Sequence, residues 1–454
     1  MTTPETKPDD EREALLDKLH RDIEEGQFEN IDDLLSEIAP ADIADALEEL
    51  AAEEKGEVFQ RLDREVAGEV LIKMSLESLK DVVAEDLDSV TDAVETMEPD
   101  ETADLLDAVG DEAAESILSE LPPSEAATAQ RLLAYRADTA GGIMTTDFVL
   151  LARSITAAEA VKIRQRSRER ETITNLFVAD EDNRLVGHLP LHHLVFARPD
   201  RKLEQLMETD METVPPETDQ EEVVRLASRY DLDLVPVTNR QGVLLGVITS
   251  DDILEAAQEE VDEDMYVLAG TAEIDPLHSS VRRSTLLRLP WLILSLLDGL
   301  FIAFLSSHFQ SALEFAYVAL FIPLIPLMGG NVAVQSSTIV VRALAVGDLS
   351  RRSIMGFVTR QASVILALAL SCGTIAGVLA TTMVGGSTEF MLVVGMSVTL
   401  SIMVAGSLGI GVPLAFDRIG IDPAVSAGPF GTMLNDALCI VIYLSLATTL
   451  HASP

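Results

Sequence analysis

The residues with the most chemistry to offer lie where they are costly to keep. Asp436 sits near the middle of the apolar run GPFGTMLNDALCIVIYLSLA. A carboxylate at that depth in a bilayer costs several kcal/mol unless it meets water, a partner or an ion. That run holds no Lys or Arg to pair with it, and the arginines of the other apolar segments fall near their ends. A cation is therefore the favoured partner, and a protonated or hydrogen-bonded structural Asp is the alternative. A second run, FIPLIPLMGGNVAVQSSTIVVRALAVGDL, holds Pro323, Pro326, Gly329, Gly330 and Asn331 inside a stretch apolar enough to cross a membrane. Broken backbone at membrane depth is tolerated where it lines a water-filled cavity. Freed carbonyls near Gly329 and Gly330, the Asn331 amide and Asp436 would offer oxygen, without sulfur or imidazole. Oxygen donors select hard cations such as Mg²⁺ or Ca²⁺.

A third constellation is acidic. Asp251, Asp252, Glu255, Glu259, Glu260, Asp262, Glu263 and Asp264 place eight acids within fourteen residues. Their mutual repulsion would be relieved by a divalent cation; a solvated charged helix is the default reading of such a run in a soluble protein, and its position just before a membrane domain favours the cation. Asp100 and Asp104, four residues apart, share one helix face. Alone, that pair reads as solvated surface.

The elements that must position these residues divide the chain sharply. Residues 271–454 carry 9 acidic and 8 basic side chains, so residues 1–270 carry all but one of the 44 net negative charges. Such acidity argues against nucleic acid or anionic lipid as a partner and in favour of cations; adaptation to a salty cytoplasm is the other reading of it. Cys372 and Cys439 are the only cysteines, too few for a disulfide framework or a cysteine zinc site. The polar, acidic start gives no secretory signal, and the front half is expected to stay in the cytoplasm. Without a nucleophile–base pair, phosphate loop or metal–histidine motif, an enzyme is not expected.

Five apolar segments follow Arg288, at 289–309, 315–345, 357–384, 389–416 and 425–450, each able to reach the ~20 residues a spanning helix needs. Arg282, Arg283, Arg342, Arg351, Arg352, Arg360 and Arg418 all fall on one side of the resulting topology. This positive-inside bias predicts a cytoplasmic N-terminus, an outside C-terminus and five crossings. Glu314 and Glu389 fall near segment ends, whereas Asp298, in SLLDGLF, lies deeper and faces an undetermined direction.

Ahead of these spans, residues 1–136 read as short amphipathic helices. Pro40 and Asp45 recur as Pro99 and Asp104, 59 residues on, which predicts a small α-solenoid. Residues 137–260 repeat a strand–helix–strand–strand–helix pattern twice, with Met144 and Met207 at corresponding places. This pattern resembles paired cystathionine-β-synthase-type regulatory modules. Their nucleotide motif appears in the second copy as Gly246, Thr249 and Asp252, which implies a site for ATP. The first copy departs from it at Gly187, Pro190 and His193, and His192 and His193 are read as surface helix residues.

Taken together, the chain resembles MgtE-type magnesium channels over residues 20–450. The resemblance is carried by RLPW, by the proline-plus-GGN break followed by QSSTIVVRALA, and by DPAVSAGP…ND…IYLSLA. It implies a multidomain fold: an α-solenoid N domain (1–136), tandem α+β modules (137–200 and 201–260), an acidic linker with a connecting helix (261–288), and an all-α polytopic membrane domain of five helices (289–454). It implies a homodimer in the cell's inner (plasma) membrane, with Mg²⁺ as the partner ion and no nucleic acid. Asp436, Asn331 and Gly330 would hold hydrated Mg²⁺ in the pore. Asp100, Asp104, Asp219, Glu221, Asp231, Asp252, Glu255, Glu259, Glu263 and Asp422 would sense intracellular Mg²⁺ and close the channel when it is high. A proton- or sodium-coupled divalent-cation transporter using Asp436 as its coupling carboxylate is the rival reading. The extra Pro326 and the carboxylate of Asp298 depart from the family pattern.

Overall fold

The computed structural model describes residues 9–24, 31–166, 175–269, 281–309, 316–345, 354–384, 388–426 and 429–451. It divides into two compact units, residues 1–257 and 258–454.

The first unit opens with a helical array. Its helices are short, from five to sixteen residues, and several begin with a proline at the first turn, as Pro40–Glu48 and Pro99–Val109 do. Proline suits that position because its missing N–H has no intrahelical partner there. From Pro40–Glu48 onward, helices pack on the second helix following them, which is the stacking of a solenoid. Ile31, Ile43, Leu47, Val58, Phe59, Val70, Leu71, Val82 and Val90 form its continuous core. Within it Lys55 is buried, its Nζ 2.9 Å from Asp81 Oδ2 and donating to Ser78 Oγ at 2.8 Å.

Two β-containing modules follow. In the first, β1 (Val149–Ala152) runs parallel to β2 (Asn175–Ala179), which pairs antiparallel with β3 (Leu185–Pro190). In the second, β4 (Val235–Thr238) and β5 (Leu244–Ile248) pair antiparallel, and the strand expected ahead of them reduces to one parallel bridge, Val214 to Val237. The modules interlock. Thr145, leading into the first module, exchanges both backbone hydrogen bonds with Val247 in β5 at 2.9 Å, while Glu208, leading into the second, does the same with His188 in β3 at 2.8 and 3.0 Å. A glycine makes room at each crossing. A Cβ on Gly246 would lie 2.6 Å from Met144 Sδ, and one on Gly187 would lie 2.5 Å from the Glu208 carbonyl oxygen. The equivalence of Met144 and Met207 read from the repeat is thus a structural one.

The helix Ser250–Ala269 leaves the second module and runs unbroken past the expected boundary at 260. Of the expected connecting helix, residues 272–280 lie outside the described residues. Residues 281–288 run directly into the first long apolar helix, Val281–Ser307, which takes Pro290 in its stride. Glu314, Arg351 and Arg352 also lie outside the described residues.

In the second unit five helices are long and apolar enough to span a bilayer, within Arg282–Ser307, Val318–Ala345, Ile354–Met383, Thr388–Ile419 and Gly431–Thr449. The fourth is the hub and packs against the second, third and fifth; the first packs on the fifth. Small residues permit the tightest crossing. A Cβ on Gly373 of the third helix would sit 2.6 Å from the Gly395 carbonyl oxygen of the fourth, and Thr399 Oγ1 donates to the Ala369 carbonyl at 3.2 Å. Close backbone approach of this kind is how helices associate where lipid removes the hydrophobic drive.

Candidate functional site

The fifth membrane helix, Pro429–His451, buries Asn435, Cys439, Ile440, Tyr443, Leu444 and Ala447 on one face. Their three- and four-residue spacing makes that face continuous. Asp436 lies at its edge, half-buried. Tyr443 anchors the face by donating from its hydroxyl to the Val318 carbonyl at 2.8 Å. Above it runs a short relay: Cys439 Sγ donates to Asn435 Oδ1 at 3.3 Å, and Asn435 Nδ2 donates to Asp436 Oδ1 at 2.9 Å. Asn435 is 1% exposed, so its amide is fixed by burial and in turn fixes the carboxylate.

Gly329 lets the second helix press onto this relay. A Cβ there would stand 2.6 Å from Cys439 Sγ and 3.0 Å from Asn435 Oδ1; at Gly330 it would stand 3.6 Å from Asn435 Nδ2. The backbone break, however, is not at the glycines. It falls at Ile322–Pro323, between the helices Ala316–Phe321 and Leu324–Ala345. Gly329 and Gly330 lie inside the second of these, so the carbonyls expected to be freed there belong to a continuous helix. The physical reason is position: Pro323 precedes Leu324–Ala345 and Pro326 sits in its first turn, where a missing N–H breaks no helical bond. Gly330 is half-buried beside the Asn435–Asp436 pair, and Asn331 is exposed. Asp298 of the first helix is turned inward and lies within reach of Asp436's charge.

The carboxylates of the first unit divide by environment. Asp100 is 5% exposed, and its Oδ1 is buried without a hydrogen-bond partner. Burial raises its pKa well above the ordinary carboxylate value, and the nearby charges of Asp252 and Glu98 raise it further. Asp252, half-buried in the first turn of Ser250–Ala269, is pushed up to about 6, chiefly by burial and against the hydrogen bonds from Thr249. The helix Pro99–Val109 contributes Ala103 to a core shared with Met144, Val214, Val223 and Val237, and that docking is what brings Asp100 to Asp252. Asp104, one turn on, is exposed.

Other sensor candidates have local duties. Asp219 caps the helix Gln220–Tyr230 by accepting from the Glu221 N–H at 3.0 Å, and Asp231 closes it in a left-handed conformation with φ 52°. Glu221 is half-buried; Glu255, Glu259 and Glu263 are exposed along Ser250–Ala269. In the second unit Asp422 is exposed and accepts from the Ala424 N–H at 2.7 Å. Asp264 lies near it. Burial first, then Asp422 and Glu263, push Asp264 up to about 6, with Arg342 acting in the opposite sense. Neither Asp264 nor Glu98 was singled out as a sensor from sequence; a run of like charges does not reveal which member is buried.

The nucleotide motif has structural work of its own. Gly246 is covered by Met144, and Thr249 and Asp252 form a helix-capping pair. The Thr249 N–H and hydroxyl meet Asp252 Oδ2 at 3.2 and 2.6 Å, and the hydroxyl also lies against Asp251. Among the described residues no group of three or more His, Cys, Asp or Glu converges on a metal position. Carboxylates here come in pairs, an arrangement suited to an ion that keeps much of its own water, as Mg²⁺ does.

Comparison with known proteins is consistent along the chain. Residues 322–446 match the MgtE family described as a divalent cation transporter, residues 38–138 match the MgtE intracellular N domain, and residues 140–200 and 203–259 match CBS domains. The magnesium transporter MgtE of Bacillus subtilis is 31% identical over 358 residues, covering 78% of this chain and 79% of that protein. That of Thermus thermophilus is 32% identical over 339 residues, covering 73% and 74%. The crystal structure of the cytosolic domain of the Mg²⁺ channel MgtE in complex with ATP superposes with a TM-score of 0.50 at 31% identity, covering 53% of this chain and 99% of that one. The soluble part of a magnesium transporter gives the same TM-score at 26% identity, covering 55% and 99%.

Proposed function

The chain belongs to the MgtE family, and on that premise we propose that it is a Mg²⁺ channel that admits Mg²⁺ to the cytoplasm down its electrochemical gradient and closes when intracellular Mg²⁺ is high. The observation that carries this reading is Asp436, a half-buried carboxylate in a membrane-spanning helix, held by the buried Asn435 amide at 2.9 Å. Asn435 holds one oxygen of Asp436 in place; on the second helix Gly330 lies beside Asn435, and Asn331 adds an exposed amide next to Gly330 in the chain. The conducting assembly is a homodimer in the inner (plasma) membrane, with the N-terminus in the cytoplasm and the C-terminus outside. An inside-negative potential supplies about 2.3 kcal/mol per charge per 100 mV, so entry needs no coupled ion.

Closure is assigned to acidic side chains, first among them the pair at the junction of the helical domain and the second module. The unpartnered Oδ1 of Asp100 beside Asp252 fits a cation. Asp100 and Asp252 would hold it, with Asp104, Asp219, Glu221, Asp231, Glu255, Glu259, Glu263 and Asp422 as the further sensor carboxylates. Bound there, Mg²⁺ supplies the positive charge that offsets their repulsion. Left to themselves, Asp100 and Asp252 oppose docking of the helical domain on the second module, which favours the open state by population shift. A relative was solved with ATP. In this chain Gly246, Thr249 and Asp252 are engaged in packing and capping.

Mg²⁺ uptake by proteoliposomes, with no other ion gradient, tests the proposal. Uptake by the wild type and its loss in Asp436→Ala supports an uncoupled pathway. Uptake only after a Na⁺ or H⁺ gradient is imposed replaces it with a coupled transporter.

A further inference from the structure

The first membrane helix is mostly exposed, and its one carboxylate is buried. Leu292, Leu296, Leu297, Leu300 and Phe304 are exposed along it, yet Asp298 is 8% exposed and its Oδ1 is buried with no hydrogen-bond partner. Outward leucines suit lipid, whereas an inward carboxylate at that depth needs water, a partner or an ion. Asp298 has no ion pair among the described residues. The basic residue nearest along its own helix, Arg288, is ten positions away, about 15 Å at the helical rise. The first helix packs against the fifth, which carries Asp436 close enough for its charge to bear on Asp298.

We propose that Asp298 and Asp436 of the same chain form a two-carboxylate site inside the bundle that takes a divalent cation, one ion per chain. Charge sets the valence, since two carboxylates are balanced by one doubly charged ion. Donor type sets the class. Carboxylate oxygens with the Asn435 amide beside them suit a hard, partly hydrated ion, and Cys439 Sγ is already directed at Asn435 Oδ1. The site deepens the channel reading and rests on it for the identity of the ion as Mg²⁺. It differs in placing a ligand on the first helix and in being complete within one chain.

Two measurements on the full-length protein in lipid test it. In proteoliposome uptake across a series of external Mg²⁺ concentrations, Asp298→Asn is expected to raise the half-saturating concentration roughly tenfold, the scale on which a weakened metal site is felt. Unchanged half-saturation in Asp298→Asn overturns the proposal. The second measurement needs no variant. Wild-type protein is treated with a hydrophobic carbodiimide with and without Mg²⁺, and adducts are located by mass spectrometry. Suppression of the Asp298 adduct by Mg²⁺ supports the site, and an adduct indifferent to saturating Mg²⁺ overturns it. Absence of Mg²⁺ uptake in the wild type would reject the channel while leaving the protection result to decide the site.

Discussion

Asp252 lies close enough to Asp100, across the junction of the helical domain and the second module, for its charge to bear on it; Asp100 is almost wholly buried and Asp252 half-buried. Both have raised pKa values, Asp252 at about 6. A carboxyl group whose pKa is higher docked than undocked favours docking in its protonated form. That contribution is fully present below the ordinary carboxylate pKa and is lost as pH rises through the docked value. In Mg²⁺-free protein, docking should therefore strengthen as pH falls from 7.5 through about 6. Limited proteolysis of the junction around 133–140 at the two pH values reads this out; cleavage rates that do not fall at the lower pH would refute it.

Replacing Asp252 by Asn removes the charge while keeping the shape. The helical domain should then stay docked without Mg²⁺ at neutral pH, and uptake should become low and insensitive to internal Mg²⁺. The discriminating readout is flux as a function of internal Mg²⁺. A variant that still opens when Mg²⁺ is removed would show that the Asp100–Asp252 repulsion does not set the gate.

Gly329 is a packing requirement where the second and fifth membrane helices meet. Gly329→Ala drives a Cβ to within 2.6 Å of Cys439 Sγ, and overpacking of this kind costs about 1–3 kcal/mol. The double variant Gly329→Ala with Cys439→Ala removes the obstructing sulfur and should recover much of the loss. Thermal unfolding in nanodiscs measures both, and a neutral single variant would mean that the second and fifth helices are not so closely apposed.

Lys55 ties the solenoid together through Ser78 Oγ and Asp81. Lys55→Met keeps the aliphatic stem but leaves the buried hydroxyl without that donor, at a cost of about 2 kcal/mol. Hydrogen exchange in the helix Leu76–Glu85 should then quicken by roughly thirtyfold. Exchange at the wild-type rate would show that the pair contributes nothing.

The spans and domain order were legible because they rest on long runs: chargeless stretches, two similar modules, Pro40 repeated at Pro99. What escaped was the facing of single side chains. Asp100 and Asp104 share a helix face, yet only Asp100 lies where the helix N-terminus meets the second module. The Gly246–Thr249–Asp252 spacing is that of a nucleotide motif and also that of a tight strand crossing followed by a capped helix, which sequence cannot separate. The prolines of the second span announced a break, but its placement at Ile322–Pro323 depends on which turn of the helix each proline occupies. Asp298 was visible as an oddity, and its inward direction required the fold.

The interlocking of the two modules bears on how the chain is made. β3 is completed by Glu208, which emerges from the ribosome after it, and Thr145, already out, must wait about a hundred residues for Val247. Neither half can close its backbone alone, so the pair folds as one late step rather than module by module, the usual order for separable domains. The helix Pro99–Val109 shares a core with residues of that same pair. A nascent chain therefore carries Asp100 uncovered until the second module is complete, by which time the first membrane helix is about to enter the bilayer.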